Sequence, residues 1–173
     1  VQPVQQQYNE VKVVNKATAK AIGISASLND PHFKLSALFL QYALPVFENA
    51  NAFLQKDEPV IHILHDVLIS QLSDLLAHFI TPETILSAKL LTDIDLTSIR
   101  SQKPDDDLAV GVKTRDFIKD IQKSLDLPSF FETVRTFYSN SCKYIIQKYA
   151  FNYNFLINAR GLNITNRCQH KLK

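Results

Sequence analysis

Histidines and carboxylates at short spacing are where metal or acid–base chemistry would first show, and residues 53–72, FLQKDEPVIHILHDVLISQL, hold His62, His65 and Asp66 together. A zinc-binding helix ordinarily offers histidines at i and i+4 and takes further Cys, His or carboxylate ligands from elsewhere. Wound at about 100° per residue from Ile61, His65 falls at about 40°, His62 at about 100° and Asp66 at about 140°, so the three diverge rather than converge. Of the other histidines, His32 precedes a different helix, His78 falls at about 260° on this one, and His170 belongs to the last residues of the chain. The spacing therefore predicts a His65 that lines a core and a His62 at its edge, and no metal site.

The remaining chemistry-bearing groups read in the same way. Asp105-Asp106-Asp107 could hold a cation, but the glycine and acid spacing of a calcium loop is missing, which leaves a solvated loop or helix start. Asp93 and Asp95 in LLTDIDLTSI would face the same way on an extended segment, yet no third acid stands near them in sequence. Cys142 has no local base or oxyanion donor to make it a nucleophile, and is expected to be a small buried or half-buried side chain. The glycines at 23, 111 and 161 are too far apart to form a phosphate loop. No catalytic residue, metal, cofactor or small-molecule substrate is expected.

The charge distribution is less bland. Residues 1–132 carry 12 Lys+Arg against 17 Asp+Glu, whereas residues 133–173 carry 7 Lys+Arg and no acid. Within that acid-free part Arg135, Lys143, Lys148 and Arg160 lie among Phe137, Tyr138, Tyr144, Tyr149, Phe151, Tyr153 and Phe155. Cations interleaved with aromatics can grip phosphates while stacking on bases, which makes these four cations candidate nucleic-acid contacts. Helical spacing offers the competing reading, in which the aromatics face inward and the cations solvate the outer face.

These residues must be carried by helices. Ile61, Leu64, Leu68, Leu72, Leu75 and Phe79 step by 3, 4, 4, 3 and 4, one apolar stripe of a helix expected to start near residue 58 at Asp57-Glu58-Pro59. Leu35, Phe39, Tyr42, Val46 and Phe53 draw a second stripe after Pro31, with a kink or break expected at Pro45. A short helix should follow Thr81-Pro82 through Ile85 to Leu91, and residues 92–111 read as a connection. KTRDFIKDIQKSL places Phe117, Ile118, Ile121 and Leu125 inward. The last long helix starts near Ser129 with Phe130, Val134, Phe137, Tyr138, Ile145 and Tyr149. The expectation is an all-α bundle of five to seven helices in a single domain over 1–173, with no substantial sheet and residues 165–173 as a disordered tail.

Composition agrees with one globular unit. A hydrophobic fraction of 46% and a charged fraction of 21% over 173 residues suffice for a real core. No apolar run reaches membrane-spanning length, and VQPVQQQYNEVKVV lacks the pattern of a signal peptide. Cys142 and Cys168 are too few for a disulfide framework, so a reducing compartment is expected, and Asn163-Ile164-Thr165 is a glycosylation triplet of a kind common by chance.

As an ordered string, LSALFLQYALPVFENANAFLQKDEPVIHILHDVLISQLSDLLAHFITPETI resembles the helical region of domesticated hAT-type transposase relatives. The pattern FL-x-x-x-LP-x-F, N-x-x-FQ, P-x-IH-x-LH, then a leucine-rich helix closing in F-x-x-P is carried by Phe39, Leu40, Leu44, Pro45, Phe47, Asn51, Phe53, Gln55, Pro59, Ile61, His62, Leu64, His65, Phe79 and Pro82, with Leu54 standing inside the FQ pair. Val110-Gly111 after an acidic linker, and FFETVRTFYSNSCKYIIQKYAFNYNFLINARGLN, are similar to later parts of the same relatives, so that residues 29–164 are covered. The resemblance implies a helical insertion in a ribonuclease-H-like core whose catalytic acids lie on flanking segments, none of which corresponds to a residue here. At ITNRCQHKLK the chain departs from the relatives, which continue into an assembly region. The resemblance thus implies a nuclear, non-enzymatic module with a protein partner, DNA as a second partner, no membrane association and an open oligomeric state. An unrelated helical adaptor with a structural or partner-binding role is the alternative.

Overall fold

The computed structural model describes residue 25 and residues 30–162, except 56, 58, 122–124 and 150. Among the described residues there are six α-helices: α1 (Pro31–Leu54), α2 (Ile61–Phe79), α3 (Pro82–Ser87), α4 (Val112–Ile121), α5 (Leu127–Lys148) and α6 (Asn154–Ala159). Short 3-10 turns lie at Leu91–Asp93, Ile99–Ser101 and Arg160–Leu162. The fold is all-α, and the described part holds an isolated antiparallel bridge, Ile80 with Gln102, in place of a sheet. Glu58, Asn163-Ile164-Thr165, Cys168, His170 and the tail 165–173 lie outside the described residues.

Local chemistry sets the helix starts. Asp30 accepts a hydrogen bond from the His32 N–H at 2.9 Å and Pro31 occupies the first turn of α1, where its missing donor costs nothing. Asp126 does the same for α5, accepting from the Ser129 N–H at 3.2 Å, so α5 begins at Leu127, ahead of the expected Ser129. Helix α2 starts at Ile61 rather than near residue 58, because Pro59 precedes the cap residue Val60 instead of filling the first turn. The break expected at Pro45 is absent: α1 runs unbroken from Pro31 to Leu54. An interior proline costs a helix about 3 kcal/mol, and here Leu35, Phe39 and Ala43 before it and Ala50 after it are all buried on one side, which offsets that cost.

Helix α2 is the centre of the bundle. It packs against α5, α6, the turn at 160–162 and α1, while α1 also carries α4. The stripe read from its sequence is buried as expected at Leu68, Leu72, Leu75 and Phe79, with Leu64 half-buried; Leu76, off that stripe, is also fully buried, and Ile61 is exposed. Against this stripe Tyr138 sits at the middle of an aromatic layer, stacked on Phe79 at 5.9 Å and edge-on to Phe39 at 5.7 Å. Its hydroxyl donates to the Ala109 carbonyl at 2.7 Å, so the one polar atom of the ring is satisfied in the core. Phe130, Val134 and Ile145 are buried as expected, and Phe137 and Tyr149 are half-buried.

On α1 the inward reading of Tyr42 fails. Tyr42 is exposed and Val46 only half-buried, because the buried face runs through Leu35, Phe39, Ala43 and Ala50, turned away from Tyr42 by the packing of α5 on Phe39 and Phe47. On α4, Ile118 is buried and Phe117 half-buried, as is Leu125 just beyond; the side chain of Ile121 lies outside the described residues.

Candidate functional site

The connection 92–111 is a wall pinned to the bundle. The Thr81 N–H donates to Ser101 O at 2.9 Å, the Lys103 N–H to Phe79 O at 2.8 Å, and the Lys103 ammonium to Ala77 O at 2.6 Å near the end of α2. A cation there meets the free carbonyls and negative end of the helix. Two arginines secure the acidic turn: Arg115 donates to the carbonyls of Asp105 and Leu108 at 2.6 Å each, and Arg135 to the Asp105 carboxylate at 2.6 Å and the Lys103 carbonyl at 2.7 Å. Asp105 is thus a structural counter-ion, while Asp106 and Asp107 are exposed on the turn. Asp95 is held below the usual carboxylate range chiefly by the hydroxyl and N–H of Thr97, at 2.7 and 2.9 Å, and Asp93 accepts a long bond from Thr92 at 3.4 Å.

The histidines are placed as their helical angles suggest. His65 is largely buried and its Nε2–H donates to the Phe151 carbonyl at 3.2 Å, tying α2 to the segment after α5; His62 is half-buried. Asp66 instead meets Arg160, with Nε to Oδ1 at 2.7 Å. Among the described residues no group of three or more His, Cys, Asp or Glu side chains is placed to hold a metal ion. Cys142 is fully buried, and burial pushes its thiol up to about 12, so the thiolate that a nucleophile needs is suppressed.

Of the four candidate nucleic-acid contacts, two are engaged in ion pairs and two are not. Arg135 is spent on Asp105 and Lys103, and Arg160 on Asp66. Lys148 lies 5.6 Å over the exposed ring of Tyr144, and Lys143 has no ion pair among the described residues. The aromatics divide likewise: Tyr138 and Phe151 are buried, whereas Tyr144, Tyr153 and Phe155 are exposed.

Sequence reasoning missed the groove into which Arg135 and Lys143 both open. It has a volume of about 780 Å³ and runs between the outer face of α5, at Glu132, Thr136, Ser139, Asn140 and Lys143, and the wall formed by Leu96, Ile99 and residues 102–105. The polar positions recur at helical spacing, which was the available signal. What made them converge on a cavity was the distant Arg135–Asp105 pair, which no local pattern announces. A second cavity of about 610 Å³ lies between α1 and α2, with Tyr42, Val46, Gln71, Asp74 and His78 in its lining.

No helix of the described residues is long and apolar enough to cross a membrane. In comparisons with known proteins no family model, no curated protein and no solved structure matches the chain.

Proposed function

We propose that this chain is a non-catalytic helical interaction module of the kind found in domesticated, transposon-derived hAT-type proteins, working in the nucleus by holding a protein partner. The observation that carries this reading is the employment of its charged side chains. Asp30 and Asp126 cap helices, Asp66 and Asp105 neutralise arginines, and Asp95 organises its own turn, so these five acids are engaged in structure. The same accounting bears on the partner. Of the four candidate cations Arg135 and Arg160 are already paired, which leaves Lys143 and Lys148 among them as a thin basis for gripping a duplex but leaves the α5 groove open to a protein segment.

DNA association is the second reading, supported by the exposed Tyr144 under Lys148 and by the exposed Tyr153 and Phe155. A gel shift against short duplex DNA at low and moderate salt separates the two. The protein reading expects weak binding that vanishes at moderate salt; a tight complex at moderate salt would overturn it.

A further inference from the structure

The outer face of α5 carries free hydrogen-bonding groups where a helix usually has none to spare. Thr133 and Ser141 return their hydroxyls to the carbonyls four residues back, at 2.9 and 2.8 Å. Ser139 does not, although it is only 7% exposed and lines the groove. Its hydroxyl has no protein partner among the described residues and is open to the groove, where solvent or a ligand can serve it. Thr136 and Asn140 line the same groove on either side of it and are exposed. The row is closed by an acid at one end and a base at the other, Glu132 and Lys143, both exposed and neither ion-paired among the described residues.

The ends set a length. Eleven helical residues separate Glu132 from Lys143, about 16 Å along the axis, and an extended chain covers that distance in about five residues. The opposite wall is held by the Arg135–Asp105 pair, by Lys103 on Ala77 O and by Gln102 on Leu96 O at 2.8 Å, so the groove exists before anything enters it and little ordering cost is left for a ligand.

We infer that the groove between α5 and residues 96–105 binds an extended peptide segment bearing opposite charges four or six residues apart, its basic side chain at Glu132 and its acidic one at Lys143. Those are the even spacings nearest that length, and so the ones that put both side chains on one face. Ser139, Thr136 and Asn140 serve the main chain between those ends. Mixed charge distinguishes this occupant from a nucleic-acid strand: a phosphate backbone would be repelled at Glu132, where the peptide offers a basic side chain. The inference rests on the protein-binding reading above.

The test uses the full chain and an array of acetylated, amidated octapeptides in which arginine, glutamate or serine occupies the second position and either the sixth or the eighth on an alanine–serine background. Peptides with one arginine and one glutamate should bind at least about tenfold better than those with two like charges or none, in one preferred order. The double exchange Glu132→Lys with Lys143→Glu should reverse that order at unchanged Tm, since both side chains are exposed. Ser139→Val should weaken the preferred peptide by about threefold to tenfold, the worth of one hydrogen bond, while leaving Tm level or raised, which a structural serine would not do. Binding without a charge-order preference, no reversal in the exchange variant, or no peptide binding at all would overturn the inference. A single-stranded oligonucleotide that binds tightly and loses affinity in Ser139→Val would overturn it too. Failure of the peptides with no tight duplex complex removes this groove assignment alone; a tight duplex complex at moderate salt removes the broader reading.

Discussion

On one side of α5, Phe130, Val134, Tyr138, Cys142 and Ile145 are sealed against α1 and α2; on the other, Glu132, Thr136, Asn140 and Lys143, drawn at the same helical spacing, stand open to a groove. The two faces share one backbone and one set of caps, so what differs between them is the work their side chains do. The inner face loses water and gains contact, and its polar atoms are matched individually, as Tyr138 is by Ala109. The outer face keeps donors and acceptors unmatched, which is affordable only where solvent or a ligand can serve them. Stability should therefore respond to changes on one face and binding to changes on the other.

The harshest challenge to that division is Tyr138→Ala, which removes the centre of the aromatic layer and leaves the Ala109 carbonyl unserved. Chemical denaturation should show a loss of about 3–5 kcal/mol. Tyr138→Phe isolates the hydrogen bond and should cost about 1–3 kcal/mol. Leu68→Ala, in the α2 stripe facing α5, belongs to the same class at about 2–5 kcal/mol. A near-zero loss at any of these would place the energetic core elsewhere.

Next comes the hinge between the wall and α4. Gly111 has φ +88°, and a Cβ there would stand 2.7 Å from Cγ of Tyr42. Gly111→Ala should cost about 1–3 kcal/mol through backbone strain and overpacking together. In a Tyr42→Gly background the clash disappears, since the Tyr42 Cβ at 2.8 Å goes with the ring, and only the strain of about 1 kcal/mol should remain. If both backgrounds lose the same amount, the contact with Tyr42 is not what requires glycine there.

Cys142 sharpens the comparison through pH. Its thiol is raised from 9.0 to about 12 by burial, so the folded state binds that proton more tightly than the unfolded chain does. A raised group contributes its full stability below the unfolded value and loses it as pH climbs toward the folded one. Stability should thus be level below about pH 9 and fall between pH 9 and 12, by at most about 1.4 kcal/mol per unit for this group. Tyr138, raised by the same desolvation, extends the decline at the alkaline end. Cys142→Ala should flatten the fall without touching the groove; an unchanged slope would assign the alkaline loss to other groups.

How much of this the sequence discloses follows from what each feature depends on. The α2 stripe, the start of α1 at Pro31 and the inward run from Phe130 to Ile145 are local patterns with a single solution, and the helical class follows from them. Tyr42 misled because α1 bears apolar residues on more than one face, Phe33, Leu40 and Leu44 being exposed alongside the buried Leu35, Phe39 and Ala43. Periodicity then cannot choose the inward face. At Pro45 a kink or a break is expected, and of the two the unbroken α1 excludes the break, because packing from helices distant in sequence outweighs the local cost. The candidate site was half visible: Arg135 and Lys143 share a groove, but that Arg135 would spend its charge on Asp105, thirty residues away, is tertiary information.

The smallest effect on stability, and the one that bears most directly on the outer face, belongs to Lys143→Glu combined with Lys148→Glu. Both side chains are exposed and neither is in an ion pair among the described residues, so denaturation should register a change within about 0.5 kcal/mol. The pair also bounds what the face can do with DNA. Each phosphate neutralised contributes about −0.9 to the slope of log K against log salt, and Arg135 and Arg160 can join only by surrendering Asp105 and Asp66. Duplex binding made through these four cations alone should then show a slope no steeper than about −2, and the double variant should abolish it. A slope several times steeper, or binding that survives the double variant, would mean that cations beyond these two meet the phosphates, and the division of labour between the faces of α5 would have to be redrawn to include the arginines that now hold its wall in place.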